Sequence, residues 1–259
     1  MSRQSRTNAG TSKAEYGNWV PRRLVYVPAL AGAGFLVLSL WLLALAIIAI
    51  ISFVVSGYFL YARYLLAPQG KDIQRSVWTT LLSHLEWDGR GSALDIGSGS
   101  GALSILLAQT YPEATVTGID RWGEQWEYSK SLCERNAAVE GVGSRVTFQQ
   151  ASASSLPFPD ESFDVVVSNL TFHEVRDVAD KRQLIREALR VLRRNGKFVF
   201  QDLFLLKRSY GDVPVLLDSI RGWGAKHVEF VETGNSPFVP VPLRLPFMLG
   251  TMGVLKGEK

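Results

Sequence analysis

Residues Ala93 to Ala108 read ALDIGSGSGALSILLA: an apolar run closing on an acid, Asp95, then the alternating glycines Gly97, Gly99 and Gly101, then a second apolar run. Glycines at this spacing let a backbone turn tightly and approach a ligand with no Cβ in the way. Gly97-Ser98-Gly99-Ser100-Gly101-Ala102 also satisfies G-x-G-x-x-G/A, the pattern of a nucleotide-binding strand–turn–helix. Asp120 follows Gly97 by 23 residues and closes the next apolar run, VTGID, where an acid would accept ribose hydroxyls. The alternative role for Asp120 is to cap a following helix. Asp95 bears on the charge of the ligand. A carboxylate directly before the turn opposes a diphosphate and favours a ligand carrying an amino group and a sulfonium.

A second stretch with chemical potential is NLTFHEVRD, Asn169 to Asp177. His173 has a near-neutral reference pKa and Glu174 stands beside it, so the pair could accept a proton, or His173 could simply fix the loop. Asp202, closing the run FVFQD, is a second acid of the same kind. Metal chemistry is poorly served. The chain has one cysteine, Cys133, and its histidines are scattered at 84, 173 and 227.

The elements that must position these residues are those of an α/β domain. Asp72 to Leu85 and Lys181 to Arg194 have apolar residues at helical spacing, and Asn195-Gly196 suits a helix end. Strands are expected at Ser92–Ile96, Thr115–Ile119, Val146–Gln149, Phe163–Ser168 and Phe198–Leu203. Helices are expected between them at Gly101–Gln109 and Glu124–Val139. Such alternation predicts a doubly wound, parallel sheet whose crevice lies beyond the carboxyl ends of its strands. A helix at Val213–Trp223 and strands at His227–Glu232 and Gly250–Leu255 complete the chain.

The N-terminal third differs. Leu24 to Ala62 holds 39 residues without one Asp, Glu, Lys or Arg. A single helix of that length would be roughly 58 Å, about twice the hydrocarbon thickness of a bilayer, so residues 24–66 predict a transmembrane hairpin turning near Ser39-Leu40-Trp41. The net charge of +4 comes from its flanks: Met1 to Arg63 carries six Lys/Arg against Glu15 alone, whereas from Tyr64 onward there are 22 basic and 23 acidic residues. That distribution excludes a phosphate-binding face, so no nucleic-acid partner is expected. With Arg22 and Arg23 before the stretch and Arg63, Lys71 and Arg75 after it, a hairpin keeps both flanks, and the domain at 67–259, on the cytoplasmic side. Residues 1–23 form a basic polar tail, acid-poor enough to serve as an organelle address in a eukaryotic source.

ALDIGSGSG, VTGID, SSLPFPDESFDVVVSN and ALRVLRRNGKFVFQDLF occur in order. Together they resemble the class I S-adenosylmethionine-dependent methyltransferases, in the branch that includes quinone, sterol and other small-molecule enzymes. The resemblance covers roughly Asp72 to Lys259. It implies a mostly parallel seven-stranded Rossmann-like sheet with S-adenosylmethionine as cofactor. Asp95, Gly97, Ser98, Gly99 and Gly101 would then line its methionine end, Asp120 its ribose, and Arg121 or Trp122 its adenine. Members often carry a Gly-Asp pair after the third strand, whose Asp bonds the adenine amine. Ala151-Ser152 stands there instead, leaving the Ser152 hydroxyl or the Ala153 N–H for that bond. Asn169 would face the methionine or the transferring methyl. With a membrane segment attached, the expected acceptor is hydrophobic or lipid-like. The alternatives are a membrane-anchored NAD(P)-dependent oxidoreductase and a binding or assembly protein that keeps the fold without turnover.

Overall fold

The computed structural model describes residues 13–123 and 128–259. It begins with a helical hairpin, α1 (Arg23–Leu38) and α2 (Leu45–Leu66), joined by residues 39–44. The turn falls where the sequence places it. The Ser39 hydroxyl donates to the Leu36 carbonyl (2.6 Å), which ends α1. Gly32 gives the ring of Phe53 room against α1, and the Ser56 hydroxyl donates across the pair to Val25 O (2.9 Å). The outer faces stay bare of protein, with Leu40, Trp41, Leu43 and Val54 exposed. The two-span expectation is met only in part. The 22 residues of α2 reach about 33 Å, a bilayer's hydrocarbon thickness. The 16 of α1 reach about 24 Å, and α2 is the one described helix long and apolar enough to cross.

After the hairpin come α3 (Ile73–Ser83), β1 (Gly91–Ile96), α4 (Ala102–Thr110), β2 (Ala114–Asp120), α5 (Lys130–Val139), β3 (Val146–Gln150) and β4 (Phe163–Asn169). The chain continues through α6 (Arg182–Val191), β5 (Leu192–Asp202), α7 (Lys207–Tyr210), α8 (Val213–Gly222), β6 (His227–Glu232) and β7 (Gly253–Glu258). The strand order is β3-β2-β1-β4-β5-β7-β6. β7 pairs antiparallel with both of its neighbours, β5 and β6, and the four remaining pairings, among β3, β2, β1, β4 and β5, are parallel. Leu94 and Val166 face one core with α6 and α8, while Ala93, Val165 and Val167 face another with α3, α4 and α5. Burial on both sides is why FDVVV reads as a continuous apolar run. The winding reverses between β1 and β4, and the crevice opens at their carboxyl ends.

Three sequence expectations are corrected. The helix expected to reach Arg194 stops at Val191, because Leu192 already pairs with Phe163 of β4. The next pair is Val165 with Lys197, so residues 193–196 bulge out. There Arg193 bonds Asp164 (2.6 Å), and Asn195 takes a left-handed φ of 64° as part of the bulge, not of a helix cap. The last strand begins at Gly253, not Gly250, because Gly250 and Met252 still donate into turns at Leu245 and Leu249. The described part of the basic tail is not free. Asn136 accepts the Glu15 N–H (2.9 Å) and donates to the carbonyls of Glu15 and Ser100, while Tyr16 and Trp19 both pack edge-on against Trp78. Of the helix expected at Glu124–Val139, the first four residues lie outside those described.

Candidate active site

The turn after β1 is held by β2, since the N–H groups of Gly97 and Ser98 both donate to Ile119 O (2.8 and 2.9 Å). Gly97, Gly99 and Gly101 all have positive φ (82°, 55° and 83°). A Cβ on Gly97 would stand 2.0 Å from Thr171 Oγ1, so that position admits glycine only. Asp95, the next-to-last residue of β1, is fully buried beneath the turn. Its Oδ2 accepts the Ser104 hydroxyl (2.6 Å), and its Oδ1 has no partner among the described residues. Burial pushes its carboxyl up to about 7, against the Ser104 hydrogen bond and with the help of the Asp120 charge. The Oγ of Ser98 and the Oδ1 of Asn169, at the end of β4, are likewise buried without partners among the described residues. Three unsatisfied polar atoms around one glycine turn are what a polar ligand would satisfy.

Asp120 is tied to the same turn. Its Oδ2 accepts the Gly99 N–H (2.9 Å) and its Oδ1 the Trp122 N–H (2.9 Å). Among the described residues it caps no helix, and α5 is capped by Ser129 through the Leu132 N–H. Trp122 and Arg121 part company. The Trp122 indole N–H donates to Gly99 O (2.9 Å), which lays the ring on the glycine turn. The Arg121 guanidinium reaches toward Asp177 (3.8 Å). Ala153 is buried in the core, and Ser152 takes part in a cluster that sequence reasoning did not assemble. The hydroxyls of Ser152 and Ser154 both donate to Asp177 Oδ2 (2.9 and 2.8 Å). Those bonds, the Ser154 one foremost, hold the Asp177 carboxyl below its usual range. A carboxylate thus arrives from the loop after β4 at the position where the acid after β3 is missing. The available signal was the serine pair of SAS, which can hold an acid, together with Asp177 at the end of the flagged loop.

The second stretch closes into a pair. His173 Nδ1 lies 2.6 Å from Asp202 Oδ1, and Nε2 lies 3.5 Å from Glu174 Oε1. Asp202, fully buried at the end of β5, also accepts the N–H groups of Phe172 (2.8 Å) and Leu203 (2.6 Å). Burial opposes a charge on His173, yet the Asp202 carboxylate and Glu174 outweigh it and lift the imidazole to about 10. The ring is therefore cationic at neutral pH. The imidazole expected from the sequence as a neutral-range base thus sits above its ordinary range, held there by Asp202.

Residues 94–200 match a protein family described as a methyltransferase domain. An uncharacterized methyltransferase of Bacillus subtilis, YcgJ, is 37% identical over 109 residues, which are 42% of this chain and 39% of that protein. A ubiquinone/menaquinone biosynthesis C-methyltransferase of Geotalea daltonii is 30% identical over 128 residues, 49% of this chain and 52% of that protein. This chain therefore spans about two-fifths to one-half of the length of these relatives. Among solved structures, the cyclase SpnF superposes with a TM-score of 0.53 at 22% identity, covering 71% of this chain and 80% of that one. That likeness concerns the fold alone.

Proposed function

We propose that this chain, whose residues 94–200 form an S-adenosylmethionine-dependent methyltransferase domain, transfers a methyl group to a small hydrophobic acceptor drawn from a bilayer to which the α1–α2 hairpin tethers it. The observation that carries the cofactor is the buried carboxylate of Asp95, with one oxygen unpartnered directly under the glycine turn. A cationic amino group satisfies that oxygen. A dinucleotide's two phosphate charges would meet Asp95 directly before the turn, which disfavours the NAD(P) reading.

Bound S-adenosylmethionine supplies a methyl group already activated on a sulfonium, so the protein's task is alignment. Asp95, Ser98 and Asn169 hold the amino-acid end against a turn kept clear of Cβ atoms by Gly97, Gly99 and Gly101. Asp120 still has lone pairs for the ribose hydroxyls. Asp177 takes the adenine amine, presented by Ser152 and Ser154 and steadied by Arg121. His173, held cationic by Asp202, orients the acceptor side of the crevice. Where the acceptor must lose a proton to His173, the rate climbs with pH toward about 10.

The membrane part rests on how the hairpin meets the domain. Both of its ends are bound to the same domain: before α1 the Trp19 N–H donates to Gln74 of α3 (3.3 Å) and the Trp19 ring packs edge-on against Trp78, and α2 leads on to α3. The hairpin therefore enters and leaves a bilayer on one side, with α1 and its turn together matching the length of α2. The basic flanks at Arg22, Arg23, Lys71 and Arg75 favour the cytoplasmic face. Its foot (Ala62, Leu65 and Leu66) packs with Leu203 and Leu170, the neighbours of Asp202 and Asn169. The acceptor end of the crevice is thus beside the point where α2 would leave the lipid, which favours lipid-dissolved acceptors through local concentration. The quinone named for the Geotalea relative is of that chemical kind.

Two measurements bear on this reading. Titration of the full chain with S-adenosylhomocysteine gives saturable binding and titration with NAD gives none; the reverse result rejects the cofactor assignment. Asp177→Ala weakens S-adenosylhomocysteine roughly 10–100-fold, the size of one charge-assisted hydrogen bond, and leaves unchanged an analogue whose purine lacks the 6-amino group. Equal weakening of both ligands would make Asp177 a merely structural residue.

A further inference from the structure

The loop between β6 and β7, residues 233–252, has a composition unlike the rest of the domain. It contains no acid, and Arg244 is its one charged residue. Outside the hairpin, five described large apolar side chains are exposed, and three of them are in this loop: Val241 (73%), Leu245 (39%) and Phe247 (63%). The others, Val139 and Val215, stand alone on α5 and α8. Four prolines, Pro237, Pro240, Pro242 and Pro246, have no N–H, and ten of the loop's other sixteen backbone N–H groups donate to backbone carbonyls, which lowers the cost of leaving water.

Its position is fixed by its inner residues. Val239, Leu243 and Leu249 are buried with Ala62, Leu65 and Leu66 of α2. The Tyr58 hydroxyl of α2 donates to Pro242 O (3.0 Å). Tyr58 lies eight residues before Leu66, the end of α2, so the loop climbs about 12 Å along that helix. If α2 spans a bilayer from Leu45 to Leu66, that height places Pro242 and its neighbours within the lipid, not above it.

We infer that the β6–β7 loop is a second membrane contact, with Val241, Leu245 and Phe247 inserted into the lipid beside α2. The inference rests on the membrane reading of the hairpin. Continuity with the bare apolar face of α2 and the absence of acids select lipid as the occupant. Arg244, whose Nε donates to Val239 O (3.0 Å), has a long enough side chain for its remaining donors to meet headgroup phosphates. Such a wedge fixes the tilt of the domain on the bilayer. It does so next to Leu203 and Leu170, so the acceptor end of the crevice is held toward the lipid.

The natural chain suits a labelling test, because its lone Cys133 is buried and burial pushes its thiol up to about 12. Full-length Phe53→Cys, Phe247→Cys and Val215→Cys variants carry an environment-sensitive fluorophore and are reconstituted into phosphatidylcholine–phosphatidylglycerol vesicles containing acyl-chain nitroxide lipids. Labels at 53 and 247 are quenched several-fold more than the label at 215. Quenching at 53 but not at 247 overturns the loop inference and leaves the hairpin in the membrane. No quenching at 53 overturns the hairpin reading. Val241→Cys reads the same loop should Phe247→Cys fail to fold.

Discussion

Asp202→Ala lowers the stability of the chain by roughly 3–5 kcal/mol, the cost of removing one partner from a buried pair. The carboxylate serves the His173 imidazole and the backbone N–H groups of Phe172 and Leu203 from a fully buried position. Its loss leaves the buried imidazole and the N–H groups of Phe172, His173 and Leu203 without their acceptor. Asp202→Asn keeps a carbonyl oxygen but removes the charge, the largest counterweight to burial, so the His173 pKa falls. The pH dependence separates these effects. A group lifted from 6.5 in the unfolded chain to about 10 in the fold contributes stability that is complete below about pH 6.5 and is lost as pH rises through about 10. Urea unfolding of the detergent-solubilised chain between these limits shows stability falling with pH. His173→Gln removes that slope. A wild-type profile flat across the range would contradict the pairing.

Asp95→Asn acts in opposite directions on binding and stability. It weakens S-adenosylhomocysteine roughly 10–100-fold, the worth of a charge-assisted hydrogen bond in a buried site. The same change stabilises the ligand-free chain by roughly 1–3 kcal/mol near pH 8. The sign follows from the raised carboxyl. Between the unfolded value near 4 and the folded value of about 7 the native state takes up a proton, so stability falls as pH rises through that window. Asparagine keeps an acceptor for Ser104 and has no charge to bury. Thermal unfolding with and without ligand reads both effects. An asparagine variant that is less stable at pH 8 would mean that Asp95 is paired in the free protein.

Much of the site was legible in sequence, because backbone geometry writes itself into residue type. Glycines at three left-handed positions, an acid at the end of β1 and another at the end of β2 are each demanded by one local conformation. All of them converge on one turn. The strand FDVVVSN was equally plain, since burial on both faces leaves a run of apolar residues. What sequence could not supply was pairing between distant loops. Asp177 meets Ser152 and Ser154, and His173 meets Asp202, only because β3, β4 and β5 bring their carboxyl ends together. The helix-to-strand change at Leu192 was hidden for a related reason. Leu184, Ile185, Ala188, Leu189 and Leu192 keep helical spacing, yet Leu192 is buried as the first residue of β5. Loop 233–252 carries no periodicity, so its docking along α2 emerges only from the assembled chain.

The proposed function sends the transferred methyl group to a lipid-dissolved acceptor. Full-length chain in vesicles made from a total lipid extract is incubated with S-adenosylmethionine labelled in its methyl group, and the products are partitioned between solvent and water. The account predicts label in the organic phase for the wild type and its loss with Asp95→Asn. Label confined to water-soluble molecules or to protein would contradict it.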